Sequence, residues 1–326
     1  MGRRAVRRGQ VKRRLLAALL CALPLASLAA YPDKPVRLIV PFPPGSITDV
    51  VARALSDGMA AKLGQPVVID NLAGANGIVG TVSAVKAAPD GYTLFMVGVS
   101  TGASNVSAFK ALQYDPRKDF TPIATVADAP FMLVASKSIP VNTLQELIAY
   151  GRAHPGKLSY GYGSGSSQLC AAQVVSMGKF EATPVAYRGV PQVMTDLVGG
   201  TVQFTIADMV NGLQQARSGR VTALGVTSRQ RSPLAPEVPS LAEAGLPDYD
   251  LTVWFGMAGP AGIPAAVVQR VNAAVLEVLA DPAVQKRFET AGLTPKPSSA
   301  AVFGQLINTD IAKWARVFRE AGMEPQ

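Results

Sequence analysis

Short apolar runs alternate with longer helical repeats along most of this chain, and proline or glycine stands at many of the switches. Residues 36–40, Val-Arg-Leu-Ile-Val, suit a buried strand. Pro41, Pro43, Pro44 and Gly45 then forbid further regular structure. Ser46 or Thr48 can cap a helix there, since Val50, Val51, Ala54 and Leu55 recur at helical spacing up to Leu63. The same alternation predicts strands at 66–69, 92–99, 123–126, 131–135, 158–162, 202–207 and 221–226. Helices are expected at 78–86, at 143–153 with Thr143 and Glu146 as a capping box, and after 163–167 to about 177. Others are expected at 189–198, 211–217, 264–279, 282–291 and 300–321, with Pro264 and Pro282 in first turns. Such alternation predicts an α/β fold with parallel strands. In that class ligands bind beyond the carboxyl ends of strands. There is no internal repeat, low-complexity tract or long linker.

Two strand ends run into polar, glycine-containing loops that open helices: residues 43–49 and 163–168. Free N–H groups and the helix dipole favour an anion at such a place. The first loop holds no Lys, Arg or His. Neutral donors suit a small carboxylate better than a polyphosphate. If the two loops face each other across a cleft, two helix N-termini pinch one acid group.

The N-terminus sets the compartment. Arg3, Arg4, Arg7, Arg8, Lys12, Arg13 and Arg14 precede an uncharged run from Leu15 to Ala30, closed by small residues around Ser27-Leu28-Ala29. This is the layout of a secretory signal peptide over residues 1–29, cleaved near Ala29/Ala30, and it predicts a periplasmic protein. A membrane anchor is the competing reading. The run falls short of the ~20 residues a spanning helix needs, and Pro24 interrupts it. The general secretory route fits better than the faint twin-arginine pattern at Arg13-Arg14, and Cys21 is a poor lipoprotein site.

Cleavage removes seven of the 31 basic residues and none of the 22 acidic ones, so the net charge drops from +9 to +2. The mature chain of 297 residues is long enough for two modest domains, and nothing electrostatic points to nucleic acid. Of the two cysteines only Cys170 remains, which excludes an intramolecular disulfide. The single histidine, His154, sits in a His-Pro-Gly turn, and no cluster has metal-ligand spacing. No cofactor or metal is expected. An exported hydrolase using Ser166 or Ser167 would lack a paired base, and Gly-x-Ser-x-Gly does not occur. The chain therefore reads as a binding protein rather than an enzyme.

The segments 31–45 (YPDKPVRLIVPFPPG), 63–68 (LGQPVV) and 89–94 (PDGYTL) resemble the Bug/TctC family. These are extracytoplasmic solute receptors of tripartite tricarboxylate transporters. Tyr114-Asp-Pro116 with Asp119-Phe120, Ala186-Tyr-Arg-Gly189, Asp196-Leu-Val-Gly-Gly200 and Trp254-Phe-Gly256 match later family segments, as do 223–228, 238–247 and 258–262. The resemblance spans essentially the whole mature chain.

It implies a two-domain periplasmic-binding-protein fold of the type II-like, Venus-flytrap kind, with two crossing strands and a ligand cleft between the domains. Domain 1 would take residues 30–131 plus 252–326, and domain 2 residues 132–251. The family's ligands are mostly dicarboxylates, tricarboxylates, acidic amino acids or aromatic acids, held by backbone amides, hydroxyls and bridging waters. Carried over, the ligand-binding residues are Ser46, Thr48 and Asp49 on the first loop and Ser100 and Thr101 after the third strand. The second domain offers Gly163, Ser164, Gly165, Ser166, Ser167, Gln168 and Asp208. The implied partners are the permease subunits of a tripartite transporter, or a membrane sensor if the protein signals instead, and the chain is expected to be a monomer.

Several residues depart from the family pattern or carry a second reading. Ser46 stands where the family usually has glycine, Gln168 where it has histidine, and Ala75-Asn76 where it has a glycine run. Asp49 reads equally as a first-turn carboxylate, the serines at 164–167 as helix caps, Arg188 as a surface turn, and Trp254 with Phe255 as hinge or core packing. Asp208, if buried in the cleft, would disfavour a second ligand carboxylate, unless protonated, and favour an amine or hydroxyl.

Overall fold

The first strand, β1 (Val36–Val40), has four of its five residues fully buried. In this computed structural model, residues 31–325 are described; the expected signal peptide (residues 1–29) and Cys21 lie outside them. From Lys34 onward the chain packs as one compact unit. The loop after β1 enters α1 (Ile47–Leu63), which Ser46 caps at one end and Gly64 ends in the left-handed region, φ 80°. β2 (Val67–Asn71), α2 (Ile78–Val85) and β3 (Thr93–Gly98) follow. A widened π turn over Ser100–Ser104 comes next, then single helical turns at Asn105–Ala108 and Pro116–Asp119.

β4 (Phe120–Ser136) is the longest strand. After it come α3 (Leu144–Ala153), β5 (Ser159–Tyr162), α4 (Gly165–Gly178), β6 (Thr183–Ala186) and α5 (Val190–Gly199). The chain continues through β7 (Phe204–Asp208), α6 (Met209–Arg217), β8 (Val221–Val226) and β9 (Thr252–Pro260). It closes with α7 (Ala265–Leu279), α8 (Pro282–Thr290), the two-residue strand β10 (Thr294–Pro295) and α9 (Ala300–Glu320).

The sheet runs β2-β1-β3-β9-β4-β7-β5-β6, with β8 and β10 also paired to β4. Pairing is parallel within β2-β1-β3 and within β7-β5-β6. It is antiparallel wherever β4 or β9 takes part. The expectation of a parallel sheet is therefore corrected to a mixed one. Two parallel α/β groups are joined through an antiparallel centre, because β9 returns from the far end of the chain to lie between β3 and β4.

The two strands expected at 123–126 and 131–135 are one. β4 pairs with β9 from Phe120 to Pro130, through two register shifts, and with β7 and β8 from Phe131 onward. Pro122 and Pro130 sit within it, and a proline inside an apolar run reads locally as a break. β9 and β6 escape the sequence pattern, β6 because it is four residues long and largely exposed. Pro264 is the N-cap of α7 rather than a first-turn residue. Thr143 accepts from Glu146 N–H as expected, but the Glu146 carboxylate takes the N–H of Asn142, one residue before the cap.

α7 packs on α1 so closely that a Cβ on Gly58 would lie 2.8 Å from Val278. Trp254 on β9 is core packing: its Nε1 donates to Asp310 Oδ2 of α9 at 2.6 Å, and its ring meets Phe303 edge-on at 5.4 Å. Among the described residues no helix is long and apolar enough to cross a membrane, and no cluster of three metal-ligating side chains occurs.

Candidate functional site

β1, β3, β5 and β7 all end at one cavity of about 40 Å³. Its polar wall holds Ser46, Thr48, Ser100, Ser164, Ser166 and Asp208, with Gly98, Gly163 and Gly189 baring backbone. Phe42, Phe131, Val253 and Phe255 supply much of the apolar wall. No Lys, Arg or His lines it.

The first loop is shaped by its own capping. Gly45 takes φ 79°, which a side chain would disfavour. Ser46 Oγ accepts from Asp49 N–H at 3.3 Å. Ser46 and Thr48 reach the cavity; Asp49 does not line it. Its carboxylate accepts from Gly45 N–H (3.0 Å), Arg53 Nε (2.9 Å) and Asn71 Nδ2 (3.0 Å). Burial opposes its charge, yet the bonds from Arg53, Gly45 and Asn71 outweigh that and hold the carboxyl below its usual range. Asp49 thus ties loop, helix and β2 together.

After β3 the π turn turns Ser100 and Thr101 in different directions. Thr101 Oγ1 bonds back to Gly98 N–H and carbonyl at 3.3 and 3.4 Å. Ser100 Oγ instead accepts from Ser166 N–H and pairs with Ser166 Oγ, both at 3.0 Å. Ser100 therefore docks on the N-terminus of α4.

Within the second loop Ser164 caps α4 by accepting from Ser167 N–H, while Ser167 Oγ accepts from Ser164 N–H. Ser167 is engaged in this reciprocal cap, and the next residue, buried Gln168, lies off the cavity wall. Gly165 packs against Ser104 and Asn105: a Cβ there would lie 2.8 Å from Asn105 Oδ1 and 3.2 Å from Ser104 Oγ. Both of those atoms are buried and, among the described residues, lack a hydrogen-bond partner.

The two loops share the cavity. Gly189, between β6 and α5, stands between them: a Cβ on Gly163 would lie 2.3 Å from its carbonyl carbon, and a Cβ on Gly189 2.4 Å from Pro43 Cγ. The carbonyl of Gly45 accepts from Asn211 Nδ2 at 3.4 Å.

Asp208 ends β7 and caps α6. It is 2% exposed. Its Oδ1 accepts from Asn211 N–H and Nδ2, both at 3.0 Å, and Oδ2 from the same Nδ2 at 2.9 Å. Burial pushes its carboxyl above the usual range despite those bonds.

Sequence reasoning missed the apolar wall. Phe42 lies inside the proline run, and Phe131 and Phe255 sit on strands that the sequence split or hid. Arg188 is exposed and off the wall. The groups a hydrolase would need are also elsewhere: His154 is exposed, stacked on Tyr150 and bonded to its carbonyl, and burial pushes the Cys170 thiol up to about 12.

Strand ends and helix N-termini meeting at an interior cavity within a curled α/β sheet define a solute-binding receptor of the two-domain periplasmic type. The chain belongs to the tripartite tricarboxylate transporter receptor family, TctC, whose model matches residues 51–323. It is 35% identical to protein BugT of Bordetella pertussis, over 95% of this chain and 98% of that one. Among solved structures it is similar to periplasmic binding protein BugD, with a TM-score of 0.87, 33% identity, and 91% and 100% of the two chains covered. Two proteins of Rhodopseudomonas palustris are also similar. One is Rpa4515 with adipate (TM-score 0.88, 32% identity, 91% and 100% covered) and the other is MatC with bound malate (TM-score 0.84, 34% identity, 88% and 99% covered). The family is one of extracytoplasmic solute-binding proteins, not enzymes.

Proposed function

We propose that this protein captures a small carboxylate in the periplasm, after removal of residues 1–29, and delivers it to the permease subunits of a tripartite tricarboxylate transporter. The observation that carries this reading is the cluster of hydroxyls from Ser46, Thr48, Ser100, Ser164 and Ser166 around one cavity, at the N-termini of α1 and α4. Such donors solvate a carboxylate without a cation, and the two helix dipoles favour it. The adipate and malate held by two relatives belong to the same chemical class.

In this reading Gly163 supplies backbone, and Asp49, Thr101, Gly165, Ser167 and Gln168 hold the loops in shape. The protein acts as a monomer of two lobes, residues 30–131 with 252–326 and residues 132–251, hinged where β4 changes partners after Pro130 and where β9 begins. A cavity of about 40 Å³ has room for a few waters, so a carboxylate enters as the lobes part. Closure over it then alters the surface a permease meets.

Micromolar affinity corresponds to about 8 kcal/mol, within reach of several amide and hydroxyl contacts plus desolvation. Calorimetric titration of ligand-stripped protein with a broad carboxylate panel tests the proposal. Saturable binding that weakens at least tenfold in Ser166→Ala is the expected result, and absence of binding across the panel overturns it.

A further inference from the structure

The cavity wall is unbalanced in charge. Asp208 is its one carboxylate and no Lys, Arg or His lines it, so the neutral donors and helix N-termini that favour one carboxylate are met by no full positive charge. Asn211 supplies the Asp208 carboxylate with three hydrogen bonds, all from neutral groups. A ligand carboxylate entering this space brings a second negative charge among largely buried side chains, and a dicarboxylate brings a third. Coulomb repulsion grows as the surrounding dielectric falls, and charges taken out of water need partners.

The neighbour of Asp208 sharpens the requirement. Phe131 of β4 is its register partner in the antiparallel pair with β7. Residues directly opposite on such strands stand on the same face of the sheet. An acid beside an aromatic ring, both lining one cavity, suits a group that is at once cationic and attached to an apolar body. An ammonium gains from the carboxylate and from the ring face. Phe255 and Val253 continue the apolar wall.

We infer that the ligand is a zwitterionic monocarboxylate, an amino acid with an apolar side chain, whose carboxylate meets the serine and threonine hydroxyls and whose ammonium meets Asp208. This rests on the proposed reading of the cavity as the carboxylate site. A zwitterion adds no net charge to the wall, whereas a hydroxy acid adds one negative charge and a dicarboxylate two. The order of preference is therefore amino acid, then hydroxy acid, then the deaminated acid, with dicarboxylates last.

The test is calorimetric titration of ligand-stripped wild type with matched sets. These are valine, leucine and phenylalanine; their hydroxy and deaminated counterparts; and adipate and malate. At least one amino acid is expected to bind tenfold or more tightly than its deaminated counterpart and than either dicarboxylate. Asp208→Asn preserves a helix-capping oxygen. It is expected to lose tenfold or more toward that amino acid and to gain toward the deaminated acid, inverting the order.

Adipate or malate binding at least as tightly as every amino acid overturns the inference. So does an amino acid preference that Asp208→Asn leaves unchanged. If dicarboxylates win and Ser166→Ala still weakens them, the cavity remains the carboxylate site and only its proposed selectivity fails. If nothing in the panel binds, both readings fall together.

Discussion

Asp49 and Asp208 expose equally little surface, each caps or supports a helix start, and their carboxyls are displaced in opposite directions. The difference has two sources: the Asp208 carboxyl lies much deeper in the protein, and Arg53 reaches Asp49 whereas Asp208 meets only amides. Linkage gives the two opposite effects on stability. The depressed Asp49 stabilises the fold above its ordinary value of 3.8, and that contribution is lost as pH falls through its lower folded value. The raised Asp208 contributes below 3.8, and that contribution is lost as pH rises through its higher folded value. Asp208→Asn should therefore gain stability relative to wild type at pH 7.5, and the gain should shrink at pH 4.5. Urea midpoints at the two pH values check this, and an equal difference at both would refute it. Asp49→Asn should lose about 2 kcal/mol near neutral pH, through the broken tie to Arg53, in the same denaturation experiment. Sequence placed Asp49 in a helix's first turn and Asp208 just after a strand. It could not tell which one faces the cavity, because that depends on Asn71 and Arg53 arriving from β2 and from the next turn of α1.

Helix starts were the legible elements. Residues 36–40 and 221–226 read correctly from apolar runs bounded by turns, and the polar loops before α1 and α4 could be placed from glycine, proline and serine alone. The long strand β4 could not, because its continuity depends on β9, which lies more than a hundred residues away in sequence. For the same reason Phe131 and Phe255 stayed hidden while the serines did not: capping chemistry is local, and an apolar wall is assembled by pairing. Ser46 shows what capping implies. It accepts from Asp49 N–H, so Ser46→Ala should destabilise the protein by about 1 kcal/mol, whereas Ser46→Gly should cost only a few tenths. Thermal melting of the two variants separates them. Equal losses would mean that the Ser46 hydroxyl contributes through something other than the cap. The left-handed Ala75, φ 46°, tells the same local story. Ala75→Gly should raise the melting temperature slightly, because the backbone there suits a residue without Cβ.

At the scale of the whole molecule, Gly163, Gly189 and Pro43 stack without room for a methyl group. Gly189→Ala, whose Cβ would lie 2.4 Å from Pro43 Cγ of the other proposed lobe, should hold the lobes apart. Small-angle scattering should show a larger radius of gyration that saturating ligand no longer reduces, with unchanged circular dichroism and at least tenfold weaker binding. A variant that compacts like wild type would place the closure contact elsewhere. The same closed arrangement presses Gly165 onto Ser104 Oγ and Asn105 Oδ1, two buried atoms left without partners among the described residues. An unmade buried hydrogen bond costs about 1–3 kcal/mol, a burden that water lifts when the lobes separate. On the proposed two-lobe reading, an empty molecule is therefore biased against the closed shape. The proposed delivery to a permease would depend on that bias, because each false report from an empty receptor would occupy a docking site and deliver nothing.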